Sequence, residues 1–590
     1  MTDPAGTLVN MVNKFPVGID AATKVLQRYW GHSEFRPGQW ELIDAVLSGR
    51  DAFGVLPTGA GKSVCYQLPA VMLPGLTIVI SPLIALMEDQ VLSLNKRGIP
   101  AATLSGGDRH RPWEAVLNDA RYGRYKILFV SPERLQSEAF KSQYYSLDVS
   151  LVAVDEAHCI SEWGHEFRPE YYQIAELYAA GDGEANNSPT GREWSRVPVI
   201  AVTATATPVV RTDIKNRLRL RSLVEVTKSF DRPNLSFSVF NGTPKHAKVE
   251  EILRSVPGSG IIYASTRRSV EAWGRNLTAT GHVTEIYHAG LSAEKRSEAQ
   301  LNWISGNSRI IVATNAFGMG VDKSNVRSVI HVGLPMSMEA YYQEAGRAGR
   351  DGRKAYAAMV VNKKDIADRQ SMLSDMYPTL SHIRTVFDAL HSVNGVAIGD
   401  ISEKILEAKL DVLARATGLE SRKISIVLNF LVRAQFLDSA SMREDAGYKM
   451  KESRPGKLSI DGKQHRRQKN GAIGRLRDVL SYVNERDCRR RRIVAHFDDY
   501  SIGNCGMCDN CLGRHKAISV DPRLNGIMLT ILNNLALNRT IYGPEDAPEF
   551  PRYRIDEMTD WLAINGYVQP SDDPNVPPLL TDLGASVAAR

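Results

Sequence analysis

The sequence contains no apolar run that approaches the roughly 20 residues needed to cross a bilayer as a helix. Its first residues show neither the basic nor the apolar segment of a secretion signal. Only 6 of 590 residues are cysteine and 7% are aromatic, while 43% are hydrophobic. These shortages exclude membrane-spanning, collagen-like, mostly disordered and disulfide-stapled proteins. We therefore expect a cytoplasmic protein with about four domains of ordinary size.

A large excess of one charge sign is also missing. Lys and Arg number 73 against 66 Asp and Glu, for a net charge of +7, which permits a polyanionic partner without requiring one. Basic residues are concentrated in residues 463–492 and include the run Arg489 to Arg492. Such a run is usually a solvated helix face. Four cysteines begin inside this one, however, and this favours a nucleic-acid contact.

Short apolar runs rich in β-branched residues recur in two series, and a helix-like stretch follows each run. The first series is 76–83, 126–130, 150–154 and 197–202, and the second is 260–264, 308–313, 328–332 and 356–361. Continuous rather than alternating hydrophobicity indicates strands that are buried on both faces. The pattern predicts two α/β domains with parallel sheets, joined near residues 210–235.

Beyond residue 365 the pattern becomes helical. Apolar residues recur at helical spacing in 380–390, 401–417 and 422–436, and a hairpin with its turn at Asp445 to Gly447 follows. Three helices and a hairpin predict a winged helix, although short helical repeats would give a similar pattern. Residues 519–590 predict a second, smaller winged helix.

A glycine-rich segment, Pro57-Thr58-Gly59-Ala60-Gly61-Lys62-Ser63, lies between an apolar run and a predicted helix. Glycines such as Gly59 and Gly61 let the backbone surround phosphate oxygens with N–H groups. Lys62 would bridge the β- and γ-phosphates, and the Ser63 hydroxyl would bind Mg²⁺. The strict pattern has a glycine where this chain has Leu56. A glycine-rich turn without a ligand is the alternative, which the Gly-Lys-Ser ending disfavours.

An acidic motif, Asp155-Glu156-Ala157-His158, follows the apolar run Leu151 to Val154. An acidic pair after a strand is more often a helix cap. In a parallel-sheet protein with a phosphate loop, we expect Asp155 to hold Mg²⁺ through water and Glu156 to polarise the attacking water.

A third motif, Tyr342-Gln343-Glu344-Ala345-Gly346-Arg347-Ala348-Gly349-Arg350, lies in the second α/β domain. Arginines three residues apart on a helix or turn point the same way, so Arg347 and Arg350 could reach one phosphate. Two solvated surface arginines are the alternative. The interspersed glycines favour close backbone approach and thus an arginine finger.

Four cysteines, Cys488, Cys505, Cys508 and Cys511, form a C-x₁₆-C-x₂-C-x₂-C array. Four thiolates suit a closed structural Zn²⁺ site, and an Fe–S cluster is the rival. Cys65 and Cys159 stand alone and are expected to be buried fillers. His496 is expected on a helix surface.

Together these motifs resemble superfamily 2 helicases, and in particular the RecQ family. Phe35-Arg36-Pro37-Gly38-Gln39 is similar to the family's adenine-reading motif, which implies that Gln39 hydrogen-bonds adenine and Arg36 stacks on it. His32 stands where the family often has an aromatic residue. Residues 161–171 resemble the family's aromatic-rich loop, and this implies that Trp163 and Phe167 stack on bases of single strands.

The resemblance implies further site residues. His158 and Gln343 would be catalytic, like Lys62 and the two arginines. The segments 203–206, 287–291 and 313–320 would couple the lobes and grip the strand backbone. The implied DNA contacts are Arg168, Thr266, Arg267, His288 and Thr314.

The implied fold is α/β, with two RecA-like parallel-sheet lobes followed by mainly helical winged-helix and zinc-binding domains. The expected boundaries are 1–215 for lobe 1, 216–362 for lobe 2, 363–455 for the winged helix, 460–518 for the zinc domain and 519–590 for the C-terminal winged helix. The chain departs from the family in placing about 100 residues between lobe 2 and the cysteines. Because the last domain's turn is acidic, we place the strand-separating wedge in the inserted hairpin, at Tyr448.

The resulting hypothesis is a monomeric DNA helicase that requires ATP, Mg²⁺ and Zn²⁺, acts on single strands and forked duplexes, and serves repair or recombination. The family implies 3′→5′ movement. The alternative is a zinc and winged-helix nucleic-acid adaptor whose ATPase only switches affinity. An RNA substrate is disfavoured by the aromatic loop.

Overall fold

A computed structural model describes residues 18–104, 112–161, 168–179, 196–318, 323–400, 405–441, 446–513, 526–536, 541, 552–573 and 576–588. Chain contacts divide these residues into two compact units. The first unit draws on Met1–Phe240, Pro244–Val360 and Glu485–Lys516, and the second on Asn241–Thr243, Val361–Asn484 and Ala517–Arg590. Among the described helices, none combines the length and apolar character required to cross a bilayer.

A seven-stranded parallel sheet forms the first lobe. Its strands are β1 (Ala52–Val55), β2 (Leu76–Ile80), β3 (Ala101–Thr103), β4 (Ile127–Val130), β5 (Val149–Val154), β6 (Val199–Thr203) and β7 (Val224–Thr227), in the order 3-4-2-5-6-1-7. Every residue of β1, β2, β4 and β6 is buried, as continuous hydrophobicity predicts. The sheet takes its last strand from beyond residue 215, because β7 pairs with β1. The first lobe therefore extends to about residue 227.

Helices cover both faces of this sheet, as a parallel sheet requires. They are α1 (Ile19–Trp30), α2 (Gln39–Leu47), α3 (Val64–Met72), α4 (Ile84–Lys96), α5 (Trp113–Arg121), α6 (Pro132–Leu135), α7 (Glu138–Tyr144), α8 (Ile174–Ala179) and α9 (Pro208–Arg217). Short 3₁₀ helices span Ala157–Ile160 and Pro169–Gln173. The core between α2, α3 and the sheet contains Leu42, Tyr66 and Ile200, all fully buried.

A second sheet of six strands forms the second lobe. Its strands are β8 (Leu235–Asn241), β9 (Ser259–Tyr263), β10 (Thr284–Tyr287), β11 (Ile310–Ala313), β12 (Val326–His331) and β13 (Ala355–Val361), in the order 10-11-9-12-13-8. Strands β9 to β13 pair in parallel. The helices are α10 (Lys245–Ser255), α11 (Arg267–Ala279), α12 (Ala293–Ser305) and α13 (Met338–Ala345). The two predicted α/β domains are confirmed.

The second unit begins with α14 (Lys363–Met376), α15 (Leu380–Val393), β14 (Leu406–Glu407), α16 (Leu410–Thr417), α17 (Ser421–Arg433), β15 (Leu437–Ser441) and β16 (Ala446–Met450). The three strands form an antiparallel sheet in the order 14-16-15, and this sheet shares one hydrophobic core with helices α15, α16 and α17. The helix predicted over 401–417 begins only at Leu410, because Leu406 pairs with the hairpin strand. Residues 401–404 and 442–445 lie outside the described part of the chain.

The remaining elements are α18 (Gly462–Asn484), α19 (Arg489–His496), α20 (Gly526–Ala536), α21 (Arg552–Ile564), β17 (Val568–Gln569), β18 (Leu579–Leu580) and α22 (Asp582–Ala588). The predicted zinc domain 460–518 is divided between the units. Helix α18 belongs to the second unit, where the Lys469 ammonium lies 2.5 Å from the Asp560 carboxylate of α21. Helix α19 and the cysteines belong to the first unit.

Candidate nucleotide site and cysteine cluster

The glycine-rich segment forms the connection between β1 and α3. Gly59 and Gly61 have φ angles of +84° and +75°, which side chains with a Cβ rarely adopt. Leu56, which replaces the expected glycine, is fully buried in the core of the lobe, and its N–H donates to the Thr203 carbonyl over 3.0 Å. The Leu56 side chain therefore fixes the start of the loop without entering the space that phosphates need.

The acidic motif lies at the end of β5, beside Lys62. The Lys62 Nζ is 3.8 Å from Glu156 Oε1. Glu156 adopts the left-handed conformation (φ +47°, ψ +48°), which is unfavourable for a residue with a Cβ and is characteristic of functional sites. His158 is 1% exposed, and its Nδ1 lies 3.2 Å from Glu156 Oε2 and 2.9 Å from Thr203 Oγ1. His158 thus orients the glutamate and links β5 to β6.

Asp155 is buried beside this pair. The Tyr66 hydroxyl donates to Asp155 Oδ2 over 3.3 Å, and the Glu156 N–H donates to Asp155 Oδ1 over 3.0 Å. Burial, followed by the nearby Glu156 charge, raises the pKa of Asp155 to about 6. Burial also raises the pKa of Tyr66 well above its ordinary value, so its hydroxyl remains a donor. A divalent cation beside Asp155 would favour the ionised carboxylate, as a magnesium ligand requires.

Gln39 and Arg36 contact the phosphate loop directly. Gln39 Nε2 donates to the carbonyls of Ala60 and Gly61 over 3.1 and 2.9 Å, and Gln39 Oε1 accepts from the Arg36 N–H over 2.9 Å. The Arg36 guanidinium donates to the Gly59 carbonyl. Both amide hydrogens of Gln39 are therefore used in this conformation. Adenine recognition by Gln39 and Arg36 stays a prediction, and it would require these hydrogen bonds to rearrange.

The second lobe approaches the same loop with its arginine motif. A methyl group at Gly346 would lie 2.5 Å from Thr58 Oγ1, and one at Gly59 would lie 3.8 Å from the Arg350 side chain. Arg347 is 7% exposed, and its guanidinium donates to the Gly318 carbonyl. The two lobes therefore meet at the phosphate loop, and neither arginine is a solvated surface residue.

A cavity of about 640 Å³ opens where the lobes meet. Its lining includes His32, Arg36, Gln39, Thr58, Gly59, Gly61, Lys62, Ser63, Asp155, Glu156, Gln343, Arg347 and Arg350. The structure thus brings together all the predicted nucleotide-binding residues and all the predicted catalytic residues except His158, which lies behind Glu156. Thr58 Oγ1 is buried without a hydrogen-bond partner among the described residues. An unpartnered donor in a cavity with four cationic side chains fits a polyphosphate.

The predicted DNA contacts of the second lobe lie along one edge of its sheet. Thr266 and Arg267 follow β9, His288 follows β10 and Thr314 follows β11. These three strands are neighbours and pair in parallel, so their carboxyl ends meet. Thr266 caps α11 by accepting from the Ser269 N–H over 3.1 Å, and Arg267 is exposed. His288 is 4% exposed and lies 3.5 Å from the Glu271 carboxylate.

Other predicted DNA contacts are not brought to this edge. Arg168 lies in the first lobe, where its guanidinium is 3.3 Å from the Glu133 carboxylate. Trp163 and Phe167 lie outside the described residues.

The structure does not place Tyr448 where the wedge prediction expects it. Tyr448 is 8% exposed and belongs to the core formed by α15, α16 and α17. Its position in β16, opposite Leu406 and Ser439, directs the ring into that core. A side chain packed in this way is not available to insert between base pairs.

The four cysteines converge around α19. Their sulfur atoms all lie within 4.8 Å of one another, and those of Cys505 and Cys511 are 3.9 Å apart. A tetrahedral site with Zn–S bonds of about 2.3 Å places sulfurs about 3.8 Å apart. Backbone N–H groups of Cys505, Cys508 and Cys511 donate to cysteine sulfurs over 3.2 to 3.4 Å. The donor set and its spacing fit a structural zinc ion.

Two arginines that support these sites were not identified from any sequence motif. Arg232 donates to the carbonyls of Gly346 and Ala348 over 3.0 and 2.9 Å, and burial lowers its pKa. Arg489, which belongs to the basic run that favoured a nucleic-acid contact, is instead fully buried and forms a two-point ion pair with Asp509. Neither role could be found from sequence patterns, because each partner is recognisable only once distant segments meet. The position of Arg489 beside a cysteine was the only signal.

Comparisons with known proteins agree with this geometry. Residues 36–212 match the DEAD/DEAH box helicase family, and residues 244–352 match the helicase conserved C-terminal domain. Residues 448–512 match the RecQ zinc-binding domain. The two lobes and their cavity therefore define a helicase-type nucleotide-binding core with a zinc module.

Individual relatives indicate which helicases the chain resembles in sequence. The chain is 43% identical over 350 residues to the ATP-dependent DNA helicase RecQ of Pasteurella multocida. The aligned region covers 59% of this chain and 53% of that protein. It is 42% identical to the Bacillus subtilis RecQ over 58% of this chain and 57% of the relative. It is 33% identical over 497 residues to the probable ATP-dependent DNA helicase RecS of Bacillus subtilis, covering 83% of this chain and 91% of RecS.

The protein belongs to the RecQ family of superfamily 2 helicases. It spans just over half the length of the two RecQ relatives and nearly the whole of RecS.

Proposed function

We propose that this protein is an ATP- and Mg²⁺-dependent DNA helicase that moves 3′→5′ along single strands and unwinds duplexes in repair or recombination. The observation that carries the proposal is the cavity lined by the phosphate loop and acidic pair of one lobe and by Gln343, Arg347 and Arg350 of the other. A site divided in this way can open and close as nucleotide binds and leaves. The two relatives named as ATP-dependent DNA helicases support the same activity. Its place of action would be the cytoplasm or nucleoid.

The geometry suggests how hydrolysis would proceed. In this structure Glu156 is the carboxylate next to Lys62. When a triphosphate enters, Lys62 can pair with phosphate oxygens, and Glu156 is then available to orient a water molecule and accept its proton. Ser63 and Asp155 would hold Mg²⁺, which neutralises phosphate charge when bound.

The arginines would act from the other lobe. Arg347 and Arg350 place positive charge where charge develops on the transferring phosphoryl group. Arg232, which binds the carbonyls of their loop, keeps the segment in place. Hydrolysis therefore depends on the closed arrangement of the lobes, and closure is the step that can be coupled to movement on DNA.

The proposed DNA path follows the edge of the second sheet, at Thr266, Arg267, His288 and Thr314. We also propose that residues 363–455 form a winged helix, since α15, α16 and α17 pack on a three-stranded antiparallel sheet. The zinc ion would be structural, because four thiolates leave no open position for water.

The test combines two assays on the full chain. ATP hydrolysis is measured with and without single-stranded DNA, and unwinding is measured on forks that carry only a 3′ or only a 5′ tail. We expect DNA to stimulate hydrolysis at least tenfold and only the 3′-tailed fork to be opened. Hydrolysis and nucleotide-dependent DNA affinity without any unwinding would favour the adaptor function instead. Equal opening of both forks would contradict the proposed polarity.

A further inference from the structure

Helix α19, which starts directly after Cys488, ends against the helix that leads to the arginines. His496 is its last residue, and His496 Nε2 lies 2.8 Å from Glu339 Oε1 in the first turn of α13. The two side chains are only 12% and 11% exposed. His496, expected on a helix surface, is therefore a buried partner of the arginine-bearing segment.

Glu339 stands one helical turn before Gln343. Residues four apart lie on the same helix face, and Gln343 lines the nucleotide cavity. Helix α13 has only eight residues and passes directly into the loop with Arg347 and Arg350. A shift at Glu339 would therefore move the whole short segment that faces the nucleotide.

Aromatic packing reinforces this contact. The Phe497 ring stacks on Phe230 with a centroid distance of 4.1 Å and an angle of 9°, and it meets the Tyr342 ring edge-on at 5.1 Å. The Tyr342 hydroxyl donates to the Phe230 carbonyl over 3.0 Å. All three rings are nearly fully buried. The end of α19 is thus packed against α13 at a second point.

The same end of α19 also contacts the first lobe. The Phe497 carbonyl accepts from the Arg211 guanidinium of α9 over 2.8 Å. Arg490, earlier in α19, lies 3.0 Å from the Asp231 carboxylate. Asp231 precedes Arg232, the residue that binds the carbonyls of the arginine loop. Helix α19 and the residue that follows it therefore contact α13, the segment at Asp231 and Arg232, and helix α9 of the first lobe.

We propose that α19 sets the position of α13 against the nucleotide cavity, and that His496 and Glu339 are positioning residues for ATP hydrolysis. This inference rests on the proposed ATPase function. Neither residue lines the cavity, so removing their contact should leave ATP binding intact. It should slow the step that needs the arginines to be in place, because small misplacements of catalytic groups are costly.

The test compares His496→Leu and Glu339→Leu with the matched control His282→Leu. His282 Nε2 lies 3.0 Å from the Glu250 carboxylate in the same lobe, with exposures of 12% and 17%. We expect each of the first two variants to lower kcat about tenfold, with KM for ATP and the Kd of a fluorescent ATP analogue within twofold of wild type. The control should change kcat less than twofold.

Two further variants separate positioning from general loss of structure. His496→Gln retains an N–H donor near the Nε2 position and should keep kcat within about threefold of wild type. The double variant His496→Leu with Glu339→Leu should be no slower than either single variant. Zinc content is measured throughout, and Glu339→Leu tests the contact from outside the cysteine module if His496→Leu loses zinc.

The inference would be overturned if His496→Leu and His282→Leu lost kcat equally. It would also be overturned if a rise in the Kd of the ATP analogue accounted for the loss of activity in His496→Leu. Absence of ATP hydrolysis in the wild-type protein would instead refute the proposed function. The two failures are therefore distinguishable.

Discussion

The cysteine cluster and the nucleotide cavity are assembled over very different lengths of chain. All four thiols come from residues 488–511, and backbone N–H groups of the same segment donate to their sulfurs. The cavity instead takes residues from Leu26 to Arg350, carried by two separate lobes. A local chelate can form wherever its short segment folds, whereas the cavity exists only when two lobes face each other.

From this difference we expect that substitutions in one site leave the other site intact. Loss of a cysteine should remove a metal and leave the phosphate loop intact. Loss of a cavity residue should stop chemistry and leave the metal in place.

Lys62→Ala should abolish ATP hydrolysis to below detection, since no other ammonium group reaches the same part of the cavity among its described lining residues. Steady-state phosphate release with saturating DNA is the measurement. Zinc content and the far-ultraviolet circular dichroism spectrum should match wild type. Lys215→Ala, which removes a partly exposed lysine of α9 whose ammonium lies 2.8 Å from the Glu225 carboxylate, serves as the control. Undiminished turnover in Lys62→Ala would refute the site.

Arg350→Ala should lower kcat by about 10³-fold, the lower end of the contribution of an arginine finger. The Kd of ATP should change only severalfold, because phosphate-loop contacts remain. Single-turnover hydrolysis and equilibrium nucleotide binding separate the two quantities. A variant that loses binding and hydrolysis in equal proportion would show that Arg350 holds the substrate rather than its transition state.

Cys508→Ser should lower zinc affinity at least about 100-fold, because it removes one of four thiolate ligands. Zinc per chain after dialysis is the measurement, with one ion expected for wild type. Cys65→Ala is the matched control, since Cys65 is fully buried in the first lobe and away from the cluster. Full zinc retention in Cys508→Ser would mean that the convergence of sulfurs does not describe the metal site.

Tyr448→Ala should destabilise the fold of residues 380–450 by about 3 kcal/mol, because it leaves a cavity in a packed core. Hydrogen exchange in peptides from α15 and α17 reports this opening free energy, and zinc content and ATP hydrolysis should change little. Tyr448→Phe keeps the ring and should change the opening free energy by less than about 1 kcal/mol. If the alanine variant unwound forks poorly while exchange stayed unchanged, the original wedge assignment would regain support.

Sequence patterns predicted the parallel sheets well, because continuous burial leaves a strong signal in apolar runs. Seven of the cavity's residues, five between Thr58 and Ser63 together with Asp155 and Glu156, were identified because their spacing relates directly to phosphate and magnesium chemistry. Short strands such as β3 and β7 were missed, since few residues carry their pattern. Tyr448 was misplaced because hairpin residues alternate between two faces, and the register decides which face is buried.

The sequence alone therefore determined the identity of the chemical groups: a phosphate loop, an acidic pair, two arginines and four thiols. Their recognition needs only residue type and short spacing. Tertiary structure decided which of these groups meet, how Gln39 holds the phosphate loop, and that His496 faces Glu339 rather than solvent. Those contacts join residues up to 157 positions apart, and only packing between separate elements can specify such pairs.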